Sequence, residues 1–109
     1  MNLNEYQAAA WNTAQYPDAG KNLYYPALGL TGEAGEIANM IKKIMRDDNG
    51  QIREETKEEL KGELGDVLWY VACLASELGH TLDDVAQHNV DKLASRKERG
   101  VIGGSGNNR

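Results

Sequence analysis

One pentapeptide occurs twice in this chain. Gly32-Glu33-Ala34-Gly35-Glu36 returns thirty positions later as Gly62-Glu63-Leu64-Gly65-Asp66. Both copies lie in segments whose apolar residues recur at steps of three and four, so both read as helix. Acids three residues apart on a helix project to nearly the same side, about 60° from each other around the axis. Four carboxylates on two facing helices repel and raise each other's pKa. A divalent cation removes that penalty. The repeat therefore points to an all-α bundle with a cation site inside it.

Four helices are predicted. The first covers about Asn4 to Gln15, with Tyr6, Ala9, Ala10 and Ala14 inward, Trp11 beside them, and Asn4 with Gln7 as a capping pair. Tyr16-Pro17-Asp18-Ala19-Gly20 stops it. The second runs from about Pro26 to Arg46 on a stripe of Leu30, Ala34, Ile37, Ile41 and Ile44, and Asp47-Asp48-Asn49-Gly50 breaks it. The third opens on a capping box at Thr56-x-x-Glu59 and carries Leu60, Leu64, Val67, Val71, Leu74 and Leu78 to a stop at Gly79. The fourth starts at Thr81 and reaches about Lys97, with Leu82, Val85, Ala86, Asn89, Leu93 and Arg96 inward. Residues 1–99 thus form one helical domain. The tail, residues 100–109, holds Gly103-Gly104-Ser105-Gly106 and reads as a flexible end. Its other reading is a loop that folds over a phosphate with backbone N–H groups.

Glycines 29, 32, 35, 62 and 65 fall inside predicted helices, where each costs roughly 1 kcal/mol relative to alanine. Their clustering around the acids calls either for close helix approach or for room beside the carboxylates. Neither Gly-x-Gly-x-x-Gly nor a Walker-type Gly-Lys-Ser/Thr occurs, and the strands those motifs need are missing.

At 109 residues the chain is one domain with a modest core that a second copy would complete. No apolar run approaches the ~20 residues of a membrane span, and no secretory signal is predicted. The net charge of -5 disfavours nucleic-acid backbones, though not an anionic small ligand bound through cations. Cys73, the sole cysteine, sits in an apolar run and reads as core; a cytoplasmic setting fits.

Glu33, Glu36, Glu59, Glu63 and Asp66 border the apolar stripes, and Glu33, Glu36, Glu59 and Asp66 lack lysine partners four residues on. An all-oxygen set suits Mg²⁺, with Mn²⁺ as the alternative. Zinc would need His or Cys at ligand spacing, which Cys73 and His88 do not supply. A di-iron bundle needs two Glu-x-x-His pairs; the lone match, Glu77-x-x-His80, spans Gly79 at a helix end. On the fourth helix, Asn89, Lys92 and Arg96 stack at steps of three and four: an amide, an ammonium and a guanidinium, a strip suited to phosphates. Metal carboxylates with a phosphate strip define metal-assisted phosphoryl chemistry.

Leu28-Gly-Leu-Thr-Gly-Glu-Ala-Gly-Glu36, Glu59-Leu-Lys-Gly-Glu-Leu-Gly-Asp-Val-Leu68 and Asn89-Val-Asp-Lys-Leu-Ala-Ser-Arg96 resemble the three signature stretches of the MazG-like nucleotide pyrophosphohydrolases, within the all-α NTP pyrophosphatase superfamily. The resemblance covers most of residues 3 to 99. It implies a four-helix MazG-like bundle, assembled as a homodimer or dimer of dimers. It implies Mg²⁺-dependent hydrolysis of an NTP or dNTP to the monophosphate and pyrophosphate, by water attack at the α-phosphorus. Glu33, Glu36, Glu63 and Asp66 would then be metal ligands, with Glu33 or Glu36 also handling the attacking water. Asn89, Lys92 and Arg96 would meet the phosphates. Trp11, Tyr24, Tyr25 and Trp69 are the candidates for base stacking. The alternatives are a non-catalytic helical interaction module and a phosphoribosyl-ATP pyrophosphohydrolase.

Overall fold

The computed structural model describes residues 1–109 as four helices without strands. These are α1 (Leu3–Trp11), α2 (Tyr24–Asp47), α3 (Glu54–Glu77) and α4 (Leu82–Glu98). The long helices α2 and α3 form an antiparallel hairpin with the most extensive packing in the molecule. Asn49 and Gly50, both at positive φ, turn the chain between them, and the Gly50 N–H returns to the Ile44 carbonyl.

Two capping expectations need correction. The N-cap of α1 is Asn2, whose side-chain oxygen accepts from the Glu5 N–H at 2.8 Å. Asn4 and Gln7 are spent elsewhere. Asn4 Oδ1 accepts from the Asp83 N–H at 3.2 Å. Gln7 Nε2 donates to Ser76 Oγ and to the His80 carbonyl, each at 3.0 Å, while its Oε1 accepts from the Leu82 N–H at 2.7 Å. These bonds seat α1 on the turn between α3 and α4. The Thr56-x-x-Glu59 box likewise does not start α3, which begins two residues earlier, after Arg53, with no side-chain cap. Glu54 and Glu55 in its first turn face the positive end of the helix.

The stop at Gly79 and the cap at Thr81 are as predicted. Gly79 takes φ 77°, a left-handed conformation open to glycine, which lets the His80 N–H reach the Ala75 carbonyl at 2.9 Å. Thr81 Oγ1 then accepts from the Asp84 N–H.

The buried centre is small. Ala10, Ala72 and Leu82 pack with Tyr6, Trp69 and Val71, and Cys73 is fully enclosed, so its reading as a core residue holds. Burial pushes the Cys73 thiol up to about 11, which makes it a poor nucleophile at neutral pH. Several residues expected inward are exposed: Ala34 on α2, Leu64 and Leu78 on α3, and Val85, Asn89 and Leu93 on α4. The reason is topological. Helix α4 packs on α1 and α3 and makes no close backbone approach to α2, so much of the α2–α3 hairpin stays uncovered. The accessible surface, 7789 Å², exceeds the roughly 6,000 Å² of a compact monomer of this mass. The radius of gyration, 16.7 Å, exceeds the expected ~13 Å as well.

Candidate metal centre

The hairpin aligns the two acidic repeats. Gly29 faces Tyr70 so closely that a Cβ at residue 29 would lie 2.2 Å from the phenol ring. One helical turn onward, Glu33 meets α3. Glu33, Glu63 and Asp66 each bring one carboxylate oxygen within 4.8 Å of the others. Glu36 stands beside this triplet, near enough for its charge to act on Glu33, but its oxygens are not part of it.

The electrostatics follow from that crowding. Partial burial, then the charges of Asp66 and Glu63, a hydrogen bond with Glu63 and the charge of Glu36 raise the Glu33 carboxyl above its ordinary range. No cation of the chain relieves it. The nearby lysines pair along their own helix, Lys57 with Glu54 at 3.0 Å and Lys61 with Glu58 at 2.6 Å. An oxygen-only donor set that holds excess negative charge fits a hard divalent cation. Glycines 32, 35, 62 and 65 leave open space where a Cβ would stand, in contrast to Gly29. Of the two reasons for the glycine cluster, close approach thus applies at Gly29 and free room at the other four.

An aromatic wall adjoins the acids. Tyr16 stacks on Tyr25 with ring centroids 4.8 Å apart, and meets Trp11 and Trp69 edge-on. Trp69 meets Tyr70 edge-on at 5.0 Å. Burial and then Tyr25, Glu33 and Asp66 push the Tyr70 phenol up, so Tyr70 links this wall to the carboxylates. Three of the four candidate base-stacking residues, Trp11, Tyr25 and Trp69, are therefore packed on other rings, and the Trp69 indole N–H donates to Thr13 Oγ1 at 2.8 Å. Tyr24 lies outside the cluster and is exposed. Tyr70 shares the side of α3 that helical spacing gives to Glu63 and Asp66, whereas Tyr16 is a neighbour of this wall that the sequence reading did not select.

Glu77 has a structural task. It accepts from the Tyr16 hydroxyl at 2.6 Å, the Gly20 N–H at 2.9 Å and the Asn22 N–H at 3.1 Å. Burial opposes ionisation, but these three donors hold its carboxyl below the ordinary range. The Glu77 carboxylate of the Glu77-x-x-His80 pair is thus committed to donors of its own chain.

The α4 strip is not part of the carboxylate triplet, whose members come from α2 and α3. Asn89 is exposed, Lys92 half-buried and Arg96 buried. Arg96 Nη2 donates to the Asn107 carbonyl at 2.6 Å, and Lys92 Nζ to Asn107 Oδ1 at 3.2 Å. A groove of about 460 Å³ lies at the start of α4, lined by His80, Asp84, Val85, Gln87, His88 and Asp91, none of which belongs to the triplet.

Comparison with known proteins bears directly on this geometry. The MazG nucleotide pyrophosphohydrolase domain matches residues 25–101, a stretch that contains both acidic repeats and the whole of α4. The chain belongs to the MazG family. It is 54% identical to "Gene 37 protein" of Mycobacterium phage L5 over 114 aligned positions that cover all of both chains. It is 35% identical to "Uncharacterized protein YvdC" of Bacillus subtilis (strain 168), over 84% of this chain and 93% of that one. No solved structure matches. The MazG domain and the four-helix architecture agree, and no helix is long and apolar enough to cross a membrane.

Proposed function

We propose that this MazG-family chain is a nucleoside triphosphate pyrophosphohydrolase that releases pyrophosphate and a nucleoside monophosphate. The observation that supports it is the mutual approach of Glu33, Glu63 and Asp66 inside the matched domain. Glu63 and Asp66 from α3, with Glu33 and Glu36 from α2, are the proposed ligands of Mg²⁺, or alternatively Mn²⁺. When bound, the ion supplies a Lewis acid for phosphoryl oxygens and neutralises the acids. Glu33 or Glu36 orients the attacking water and accepts its proton, in line with the α-phosphorus. Asn89 and Lys92 bind phosphate oxygens, while Arg96 secures the segment beside them.

The functional unit we propose is a homodimer, or two of them paired, in the cytoplasm. The surface excess of roughly 1,800 Å² over a compact monomer supports it, since it is in the range a stable subunit interface requires of each partner. Exposed Leu28, Leu64, Leu68, Leu78, Val90 and Leu93 supply apolar contact. A second copy would also offer a route by which an α4 strip faces the acids of its partner.

A screen of NTPs and dNTPs with Mg²⁺, read as pyrophosphate rather than phosphate, tests the reaction. Pyrophosphate release that chelator abolishes is expected. Phosphate as the first product, or turnover insensitive to chelator, overturns it.

A further inference from the structure

Residues 100–109 are rich in glycine, yet one side chain organises most of them. Arg109 Nε donates to the Val101 carbonyl at 3.2 Å and to the Gly103 carbonyl at 3.1 Å. Its Nη1 donates to the Gly106 carbonyl at 2.7 Å and its Nη2 to the Ile102 carbonyl at 2.9 Å. A planar guanidinium, with five N–H groups in a fixed fork, suits this gathering of main-chain oxygens. Arg96 and Lys92 then moor the loop to α4 through Asn107. The expectation of a flexible end gives way to a closed loop.

Peptide geometry dictates what this loop shows to solvent. Every peptide bond is trans, so each N–H points opposite to the carbonyl of its own peptide plane. The carbonyls of Val101, Ile102, Gly103 and Gly106 turn toward Arg109. The N–H groups of Ile102, Gly103, Gly104 and Asn107, which share those planes, therefore turn away from it. None of these four N–H groups finds an acceptor within the chain. Residues 102–108 are exposed. The Lys92 ammonium lies beside them on Asn107, and Asn89 is one turn further along α4. The outer side of the loop thus offers N–H donors, and the matching carbonyls are turned onto a cation. Such a surface attracts anions.

We propose that residues 100–109 form a phosphate-gripping loop, templated by Arg109 and moored by Arg96, that works with Lys92 to hold the terminal phosphates of a polyphosphate. The identity of the substrate rests on the nucleotide-hydrolase reading, whereas anion binding by the loop stands or falls without it.

Inorganic tripolyphosphate is the probe, added to the full chain in chelator so that the acidic triplet has no cation to share. Amide resonances of Ile102, Gly103, Gly104 and Asn107 should shift on titration, a response that a merely structural tail does not give. Arg109→Ala should weaken tripolyphosphate binding at least tenfold, with the helical signal and melting temperature kept. Arg109→Lys should fail to rescue, because an ammonium cannot collect four carbonyls in one plane. Unshifted loop amides in the unaltered chain, or equal affinity in Arg109→Ala, overturn the proposal. Nucleotide hydrolysis with the same KM in Arg109→Ala overturns the loop and leaves the hydrolase standing. Absent hydrolysis with Arg109-dependent tripolyphosphate binding upholds the loop and overturns the hydrolase.

Discussion

Glu33 and Glu77 sit in the same pair of long helices, and their surroundings are opposite. Glu77 receives three hydrogen bonds from the segment between α1 and α2, and its carboxyl is held below the ordinary range against the pull of burial. Glu33 receives none from a cation or a backbone amide. Burial and three neighbouring acids raise it. The first carboxylate is complete within its own chain, and the second is complete only with something added. In the proposed reading the uncompensated charge is where a cation binds, and the charge that the fold neutralises is a structural joint.

The sharpest way to break this contrast is to neutralise one carboxylate of each kind. Glu63→Gln keeps the shape of the side chain and removes a charge from the triplet. Pyrophosphate release should fall by a factor on the order of 10²–10³, as when a group acting on the transition state is lost. The metal-free melting temperature should hold or rise, because repulsion is relieved. Retained activity in that variant removes Glu63 from the site.

At Glu77 the balance is reversed. Glu77→Ala leaves the Tyr16 hydroxyl and two backbone N–H groups without their acceptor, at a cost of about 2 kcal/mol. Melting should drop by roughly 8–16 °C. Turnover by the folded fraction should change little. A large loss of kcat with unchanged melting would place Glu77 in the chemistry instead.

Acidity separates the two groups without large structural change. Glu77 titrates low in the folded state, so it stabilises the fold above its unfolded pKa and that contribution fades as pH falls through the folded one. Thermal melts should show the unaltered chain ahead of Glu77→Gln at pH 7, with the gap closing below about pH 4. Glu33 titrates high, so its contribution is intact below its unfolded pKa and is lost as pH rises through the folded one. In chelator, Glu33→Gln should therefore melt above the unaltered chain at pH 7, and Mg²⁺ should shrink that difference by stabilising only the unaltered chain. Equal melting of the two chains at pH 7 would mean that Glu33 feels no net repulsion.

The legibility of these regions in the sequence follows from how local their causes are. Helix positions come from periodicity, and the Asp47–Gly50 break and the Gly79–Thr81 stop-and-start need only neighbours to explain them. The repeated acids could be paired because the duplication itself says that two helices carry matching faces. The Glu77 joint was invisible, since its donors lie 61 and 55 residues away at Tyr16 and Asn22. Asn4 and Gln7 look like a cap and become clasps on the α3–α4 turn for the same reason. Exposure of Leu64 and Leu93 was unreadable because an apolar stripe does not say whether its own chain or another covers it. The tail shows the remaining limit: glycine content suggests freedom, and a single arginine at its end gathers the carbonyls of the loop around itself.

The smallest effects separate the glycines. Gly29→Ala forces a methyl group against the Tyr70 ring, 2.2 Å from its nearest carbon, so the ring or the helix must shift. Overpacking of this kind costs about 1–3 kcal/mol, offset by roughly 1 kcal/mol of improved helix propensity. Gly65→Ala meets nothing within 4 Å and keeps the propensity gain, so the metal-free single chain should melt a few degrees higher. If the open space beside the acids is room for a nucleotide or for a second copy, that stabler variant should nevertheless bind nucleotide more weakly or dimerise less. Sedimentation and nucleotide titration of Gly65→Ala decide between them. A variant that is more stable, equally dimeric and equally tight for nucleotide would show that the glycine makes room for neither.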